Sequence, residues 1–321
     1  DKLITSGRYE IYNTGHPQED YINMYRIDAK SDLKEAVLYV DYKTNIREHN
    51  MAAAGREAGC GFSKSFVESF LCSDGLPISL SNKYLGDETM RKETANRDPR
   101  LKQLILTNDF PTNVTDDLKD STFVVNEDEF ITQHCFTGYR PIKGFNPIYS
   151  QALYMKSSFD GIAYRYAETL LINAEAKAEL NTITNADLDR TVNQLRDRVG
   201  MPHLTVNVGF TDPKWPDWGY SLSPVLQEIR RERCIELAGE GFRFNDLKRW
   251  KAGKLLNNVL TYVGKRKPDG NLAIVYPNYT NPDLSYQAGK SRTWEDKMYL
   301  YPIPTGELQR NPQLLPQNPG W

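Results

Sequence analysis

The chain of 321 residues sets 40 Lys and Arg against 42 Asp and Glu, a formal net charge of −2, so no global field draws it to a phosphate backbone or an acidic membrane. Nucleic-acid binding is not expected. It holds no run of roughly 18 apolar residues and no charged-then-apolar leader, so neither a membrane span nor an export signal is expected within it.

In chain order, "KSDLKEAVLYV" (30–40) reads as a first helix, and "KSFVESFLCSDG" (64–75) as a short one ended by Gly75. Residues 75 to 160 are irregular. From Gly161 to Leu180, Ile162, Tyr166, Leu170, Ala174 and Ala178 recur every four residues beside Ala163, Ala167 and Leu171, which predicts an amphipathic helix. After a break at Asn181, Thr184 is an N-cap with Asp187 three residues on, Leu188, Val192, Leu195 and Val199 share a face, and Gly200 and Pro202 stop the helix. This hairpin, 161–200, has the length of one tetratricopeptide-type repeat and must pack on other helices to bury its face. A third helix starts near Ser223 with Pro224 in its first turn and carries Val225, Leu226, Ile229, Arg233 and Leu237; "FNDLKRWKAGKLL" makes a fourth after Gly239 and Gly241. Residues 202–222 and 262–321 read as loop and extended chain. With no low-complexity linker, residues 1–321 are expected to form a single domain.

Catalytic and metal motifs are missing. Cys60, Cys72, Cys135 and Cys234 form no C-x-x-C pair, so no zinc site or other cofactor is expected, and Cys234 reads as a small buried thiol. "AGKSR" lacks the earlier glycine of a phosphate loop, and neither H-E-x-x-H nor G-x-S-x-G occurs. The charged stretch "RRERCIELAGEGFRFNDLKRW" has Glu228, Glu232 and Glu236 in an i, i+4 ladder, with Arg230, Arg231 and Arg233 staggered around the helix. An arginine aimed at the core needs a carboxylate, for which Glu236, Glu240 and Asp246 are the candidates. The stretch has no His or Ser, its one Cys, Cys234, reads as a buried thiol, and it has no unbalanced positive charge. A buried ionic frame is therefore favoured over a catalytic cluster or a nucleic-acid arm.

"FDGIAYRYAETLLINAEAKAEL", "IRRERCIELAGEGFRFNDLKRW" and "YLYPIPTGELQRNPQLLPQNPGW", preceded by "SFVESFLCSDGLPIS" and "NRDPRL", resemble the ordered signatures of SusD/RagB nutrient-binding lipoproteins of Bacteroidetes outer membranes. The resemblance implies a mainly α fold of tetratricopeptide-like hairpins, an alpha-alpha superhelix with long irregular loops and a few short strands. It implies a non-enzymatic cell-surface protein that captures an oligosaccharide and passes it to a SusC-like TonB-dependent transporter. Peptide capture is the alternative and glycoside hydrolysis a weaker one. It also implies that this is the C-terminal region, with membrane attachment only through a lipid anchor absent from this chain. Asp74 and Gly75 match the family's Asp-Gly turn, and Arg233, Glu236, Gly241, Arg243 and Asp246 its ionic signature. All seven are assigned structural roles, and "YLYPIP" and "NPGW" are expected to be packed chain.

A sugar needs aromatic platforms flanked by polar groups. The densest candidate is "VNVGFTDPKWPDWGY", where Trp215, Trp218 and Tyr220 alternate with charged residues and Pro213 and Pro216 stiffen the loop. Replacing both tryptophans is expected to weaken glycan binding while sparing the fold. Tyr84, near Asn82, Asp87 and Arg91, is a second candidate, and Tyr276, Tyr279 and Tyr286 a third.

Overall fold

The computed structural model describes residues 1–27, 30–51, 61–132, 134–274 and 293–321; Tyr276, Tyr279, Tyr286 and Cys60 lie outside them. Six short strands pair antiparallel as three ribbons: β1 (Ala36–Val40) with β4 (Gly161–Arg165), β2 (Pro111–Val114) with β3 (Ser121–Phe123), and β5 (Val263–Arg266) with β6 (Leu272–Ile274). The rest of the described residues are helix and loop.

The β1–β4 ribbon corrects two expectations. Residues 30–40 are not one helix: Lys30–Asp32 make a 3₁₀ turn, and "AVLYV" becomes β1. Its run of β-branched and aromatic residues suits a pleated edge once β4 supplies a partner. The helical periodicity read from Gly161 begins only at Tyr166, because Gly161–Arg165 is claimed by that pairing. The Tyr166 N–H donates to the Glu35 carbonyl at 2.8 Å where the helix takes over.

Helix α1 (Lys64–Ser69) starts at Ser63, whose hydroxyl accepts the Phe66 N–H, and ends at extended Phe70 rather than at Gly75. With α2 (Met90–Thr94) and α3 (Arg100–Leu104) it packs Val67, Phe70, Met90, Leu101, Leu104 and Tyr139 into one core. Helix α4 (Tyr166–Glu179), α5 (Asn185–Asp189), α6 (Val192–Arg198) and α7 (Pro224–Glu236) build the other from Leu170, Leu171, Ala174, Leu188, Val192, Leu195, Leu226 and Ile229. The Thr184–Asp187 capping box opens α5 as its spacing suggests. Between α5 and α6 the Thr191 hydroxyl donates to the Asp187 carbonyl at 2.6 Å, and the helix is interrupted there. Helix α8 (Phe242–Arg249) follows Gly241, whose φ of +86° takes the left-handed turn that glycine alone tolerates well.

An ionic frame ties the cores together. Glu236 is fully buried and accepts from Arg198 at 2.5 and 2.6 Å, Arg165 at 2.5 Å and Arg100 at 2.9 Å. Arg165 also reaches Glu35 at 2.9 Å and Glu240 at 2.7 Å, and Arg100 pairs with Glu232 and Asp98. The partners of Glu236 and Glu240 thus come from elsewhere in the chain, not from the arginines of α7. Within the charged stretch, the Arg233 Nε donates to both Asp246 oxygens at 3.1 and 2.9 Å and fastens α7 to α8. Arg243 departs from its structural assignment: it is exposed, 5.9 Å from the Trp250 ring centroid. Cys234 is half-buried, not enclosed.

The C-terminal segment is less packed than its prolines suggested. Trp294 sits against Gly253, and the Gly253 N–H donates to the Tyr299 hydroxyl at 2.9 Å. Beyond this, Leu300, Tyr301, Leu315 and Trp321 are exposed, and α9 (Thr305–Arg310) buries none of its residues.

Candidate functional site

The aromatic loop from Phe210 to Tyr220 crosses α7 as a strap, pinned by three ring-to-helix hydrogen bonds. Trp215 Nε1–H donates to Glu228 at 2.7 Å, Trp218 Nε1–H to Gln227 at 2.6 Å, and Arg230 Nη1–H to the Tyr220 hydroxyl at 2.9 Å. At about 100° per residue, Glu228 and Arg230 lie about 160° apart around a helix. Trp215 and Tyr220 are therefore held on opposite flanks of α7, and the three rings that the sequence groups as one platform are divided.

Trp218 is the correction that matters most. It is 6 % exposed and meets Trp250 edge to face at 5.4 Å, so it presents no open face. The cost of leaving two indoles in water exceeds what a stiff loop can resist, and the ring folds inward. Trp215 is half-buried against Phe210, with centroids 6.0 Å apart. Tyr220 is 43 % exposed and donates to the Trp250 carbonyl at 2.7 Å.

Tyr220 forms one wall of an open cleft of about 780 Å³ lined by Glu175, Glu179, Arg230, Arg249, Trp250 and Lys251, with Ile172 and Ala176 also in its lining. The Arg230 guanidinium lies against both Trp218 and Trp250, 4.8 and 4.5 Å from their centroids, and pairs with Glu179 at 2.7 Å. Arg249 takes both Glu175 oxygens at 2.7 and 2.6 Å, and Trp250 Nε1–H also reaches Glu175. These bonds fix the floor before any ligand arrives. Glu175 and Glu179 belong to no catalytic or metal motif that stands out along the chain. Their i, i+4 spacing on the flank of α4 away from its apolar stripe was the available signal.

Tyr84 lies elsewhere, half-buried, with the Arg97 guanidinium 5.3 Å over its ring. Burial, with Glu93, Asp87 and Glu68 nearby, pushes its phenol well above the ordinary range. Asp87 is held by Lys64 and Arg266 at 2.8 and 2.9 Å, and Arg91, though exposed like Asn82, pairs with Asp109 at 2.9 Å. Glu68 accepts Lys214 of the strap at 3.2 Å, which links the Tyr84 side to the flank carrying Trp215. Asp74 Oδ1 accepts the Leu76 N–H at 3.1 Å and Oδ2 the Ser81 hydroxyl at 2.7 Å, and Gly75 takes φ +80°. Among the described residues no cluster of His, Cys, Asp and Glu could hold a metal, and no helix is long and apolar enough to cross a membrane.

The family model described as the SusD family matches residues 14–321. The SusD-like protein P2 of Formosa agariphila is 33% identical over 166 residues, 52% of this chain and 27% of that protein. A SusD-like protein from Bacteroides fragilis has a similar fold at TM-score 0.69 and 24% identity, covering 100% of this chain and 60% of its own. A SusD-like carbohydrate binding protein from the same species gives TM-score 0.65 at 23% identity, with 98% and 59% coverage. Surface glycan-binding protein A from Bacteroides fluxus gives 0.52 at 18%, with 100% and 56% coverage. The chain spans about three fifths of those structures and about a quarter of the curated relative.

Proposed function

Because the chain belongs to the SusD family, we propose that it is part of a cell-surface, lipid-anchored glycan-binding protein. It captures an oligosaccharide and passes it to a SusC-like TonB-dependent transporter, without catalysis of its own. Two structural relatives are described as carbohydrate-binding or glycan-binding proteins, which supports this reading. The single observation that carries it in this chain is the cleft beside Tyr220. It is wide enough for a sugar unit, has a half-exposed aromatic wall, and rests on a floor locked by Arg230–Glu179 and Arg249–Glu175 pairs. A ring that offers its face to C–H groups beside fixed polar atoms is the chemistry of sugar recognition. Glu175 is fully engaged by Arg249 and Trp250, which suits a binding role better than proton transfer.

The test is a glycan array followed by calorimetry on the chain and on Tyr220→Ala. Binding that weakens at least about tenfold in the variant supports the cleft. Binding that is unchanged places the ligand on the Trp215 and Tyr84 side, and no binding to any glycan overturns the reading.

A further inference from the structure

We propose that the cleft selects a saccharide bearing a negatively charged group, a carboxylate or a sulfate ester, and that Lys251 is the residue that reads it. The inference rests on the glycan-binding reading above and specifies the class of sugar.

Every arginine of the cleft already has a carboxylate partner. Arg230 has Glu179 at 2.7 Å, Arg249 has Glu175 at 2.6 Å and Asp246 at 2.9 Å, and Arg233 shares Asp246 at 2.9 Å. Lys251 lines the same cleft and, among the described residues, has no carboxylate within ion-pair reach; its ammonium lies 5.7 Å from the Tyr299 ring centroid. Lys251 is exposed on the lining of the open cleft, so an anionic group on a ligand can reach its ammonium, an attraction that salt weakens.

The backbone supplies an independent reason to single out Lys251. Helix α8 ends in a left-handed turn: the Ala252 N–H donates to the Leu247 carbonyl at 2.8 Å and the Lys251 N–H to the Lys248 carbonyl at 3.1 Å. Lys251 takes φ +53° at the position in this motif that glycine or asparagine usually fills. A side chain kept where the backbone favours none is strain, and strain held at the edge of a cleft points to use. The pull of a helix C-terminus on cations does not require it, because Lys248 and Arg249 already occupy that last turn.

The experiment replaces Lys251 with glycine, which removes the ammonium and relieves the backbone. Calorimetry uses an oligogalacturonate and its methyl ester as the carboxylate pair, and a sulfated carrageenan oligosaccharide and its desulfated form as the sulfate pair. The chain is expected to bind at least one acidic probe about tenfold or more tighter than its neutral counterpart, the scale of one charge-assisted hydrogen bond. Lys251→Gly should erase that preference, keep the affinity for the neutral form, and leave Tm unchanged or higher. The pair that responds identifies carboxylate or sulfate as the group read. The proposal is overturned if neutral and acidic forms bind alike, or if the preference survives Lys251→Gly. Should neutral glycans bind without any acidic preference, or should none of the four probes bind, this inference falls, while the glycan reading is decided separately by the array.

Discussion

Trp218 and Trp250 cross at 89° with their centroids 5.4 Å apart, and the guanidinium of Arg230 lies over both rings. Trp218 is therefore a clamp that closes the aromatic strap onto α7 and α8. Trp218→Ala is expected to destabilise the chain by about 3–5 kcal/mol, as for a buried indole removed from a core. Urea denaturation measures it, with Tyr220→Phe as a comparison that removes one hydroxyl at the cleft wall. A loss for Trp218→Ala below about 1 kcal/mol, within the range of ordinary surface changes, would contradict the clamp.

Glu236 is the hub of the ionic frame. Although burial alone would raise it, Arg198, Arg165 and Arg100 hold its carboxyl well below the usual range. Glu236→Gln keeps the shape and leaves three guanidiniums sharing less negative charge in a buried site. A loss of about 3–5 kcal/mol is expected, because the uncompensated cations, not the missing contact, set the size of the effect. A change in the urea midpoint with no change in m-value would show that the native state, not the unfolded one, carries the cost.

The parts legible in the sequence were those set by local chemistry. The Thr184–Asp187 box, the Ser223–Pro224 start and the apolar stripe of α7 depend on neighbours within a few residues. The strand character of Gly161–Arg165 did not show, because it depends on β1, more than a hundred residues away, and its residues also fit a helical period. The ionic frame was visible as a need for carboxylate partners. Arg100, Arg165 and Arg198 could not be assigned to Glu236, since only the fold brings them together. At the candidate site Tyr220 was legible as an aromatic in a stiff loop. The burial of Trp218 was not, because spacing along a loop says nothing about which ring turns inward.

Glu240 gives the acid limb of stability. Burial alone would raise its carboxyl, but Arg165 and Lys143 hold it at about 2, below the ordinary 4.5. The folded value is the lower one, so its contribution is fully present above pH 4.5 and is lost as pH falls toward 2. A shift of this size corresponds to about 3 kcal/mol at most. The stability gap between the chain and Glu240→Gln, followed by urea denaturation from pH 6 downward, is expected to narrow through that window. A gap that stays constant to pH 3 would show that Glu240 holds the frame by shape rather than by charge.

Gly75 lies in the Asp-Gly turn at φ +80°, and an added Cβ would stand 3.2 and 3.3 Å from the Cβ and Cγ of Pro202. Two costs therefore meet in Gly75→Ala: a left-handed backbone, about 1–2 kcal/mol for a residue with a side chain, and crowding against a ring that cannot turn away. Gly209 separates them, because it takes φ +79° with nothing within 4 Å of the same added atom. Gly209→Ala should show the backbone cost alone, and Gly75→Ala a larger one, read as a greater fall in Tm. The crowding also tests what the turn is for. Asp74 fixes Leu76 and Ser81, while Pro202 follows the end of α6, so the contact joins the segment after α1 to the helical hairpin. Equal losses in the two variants would mean that Gly75 serves only the local turn and that the two regions are held together by the ionic frame without it.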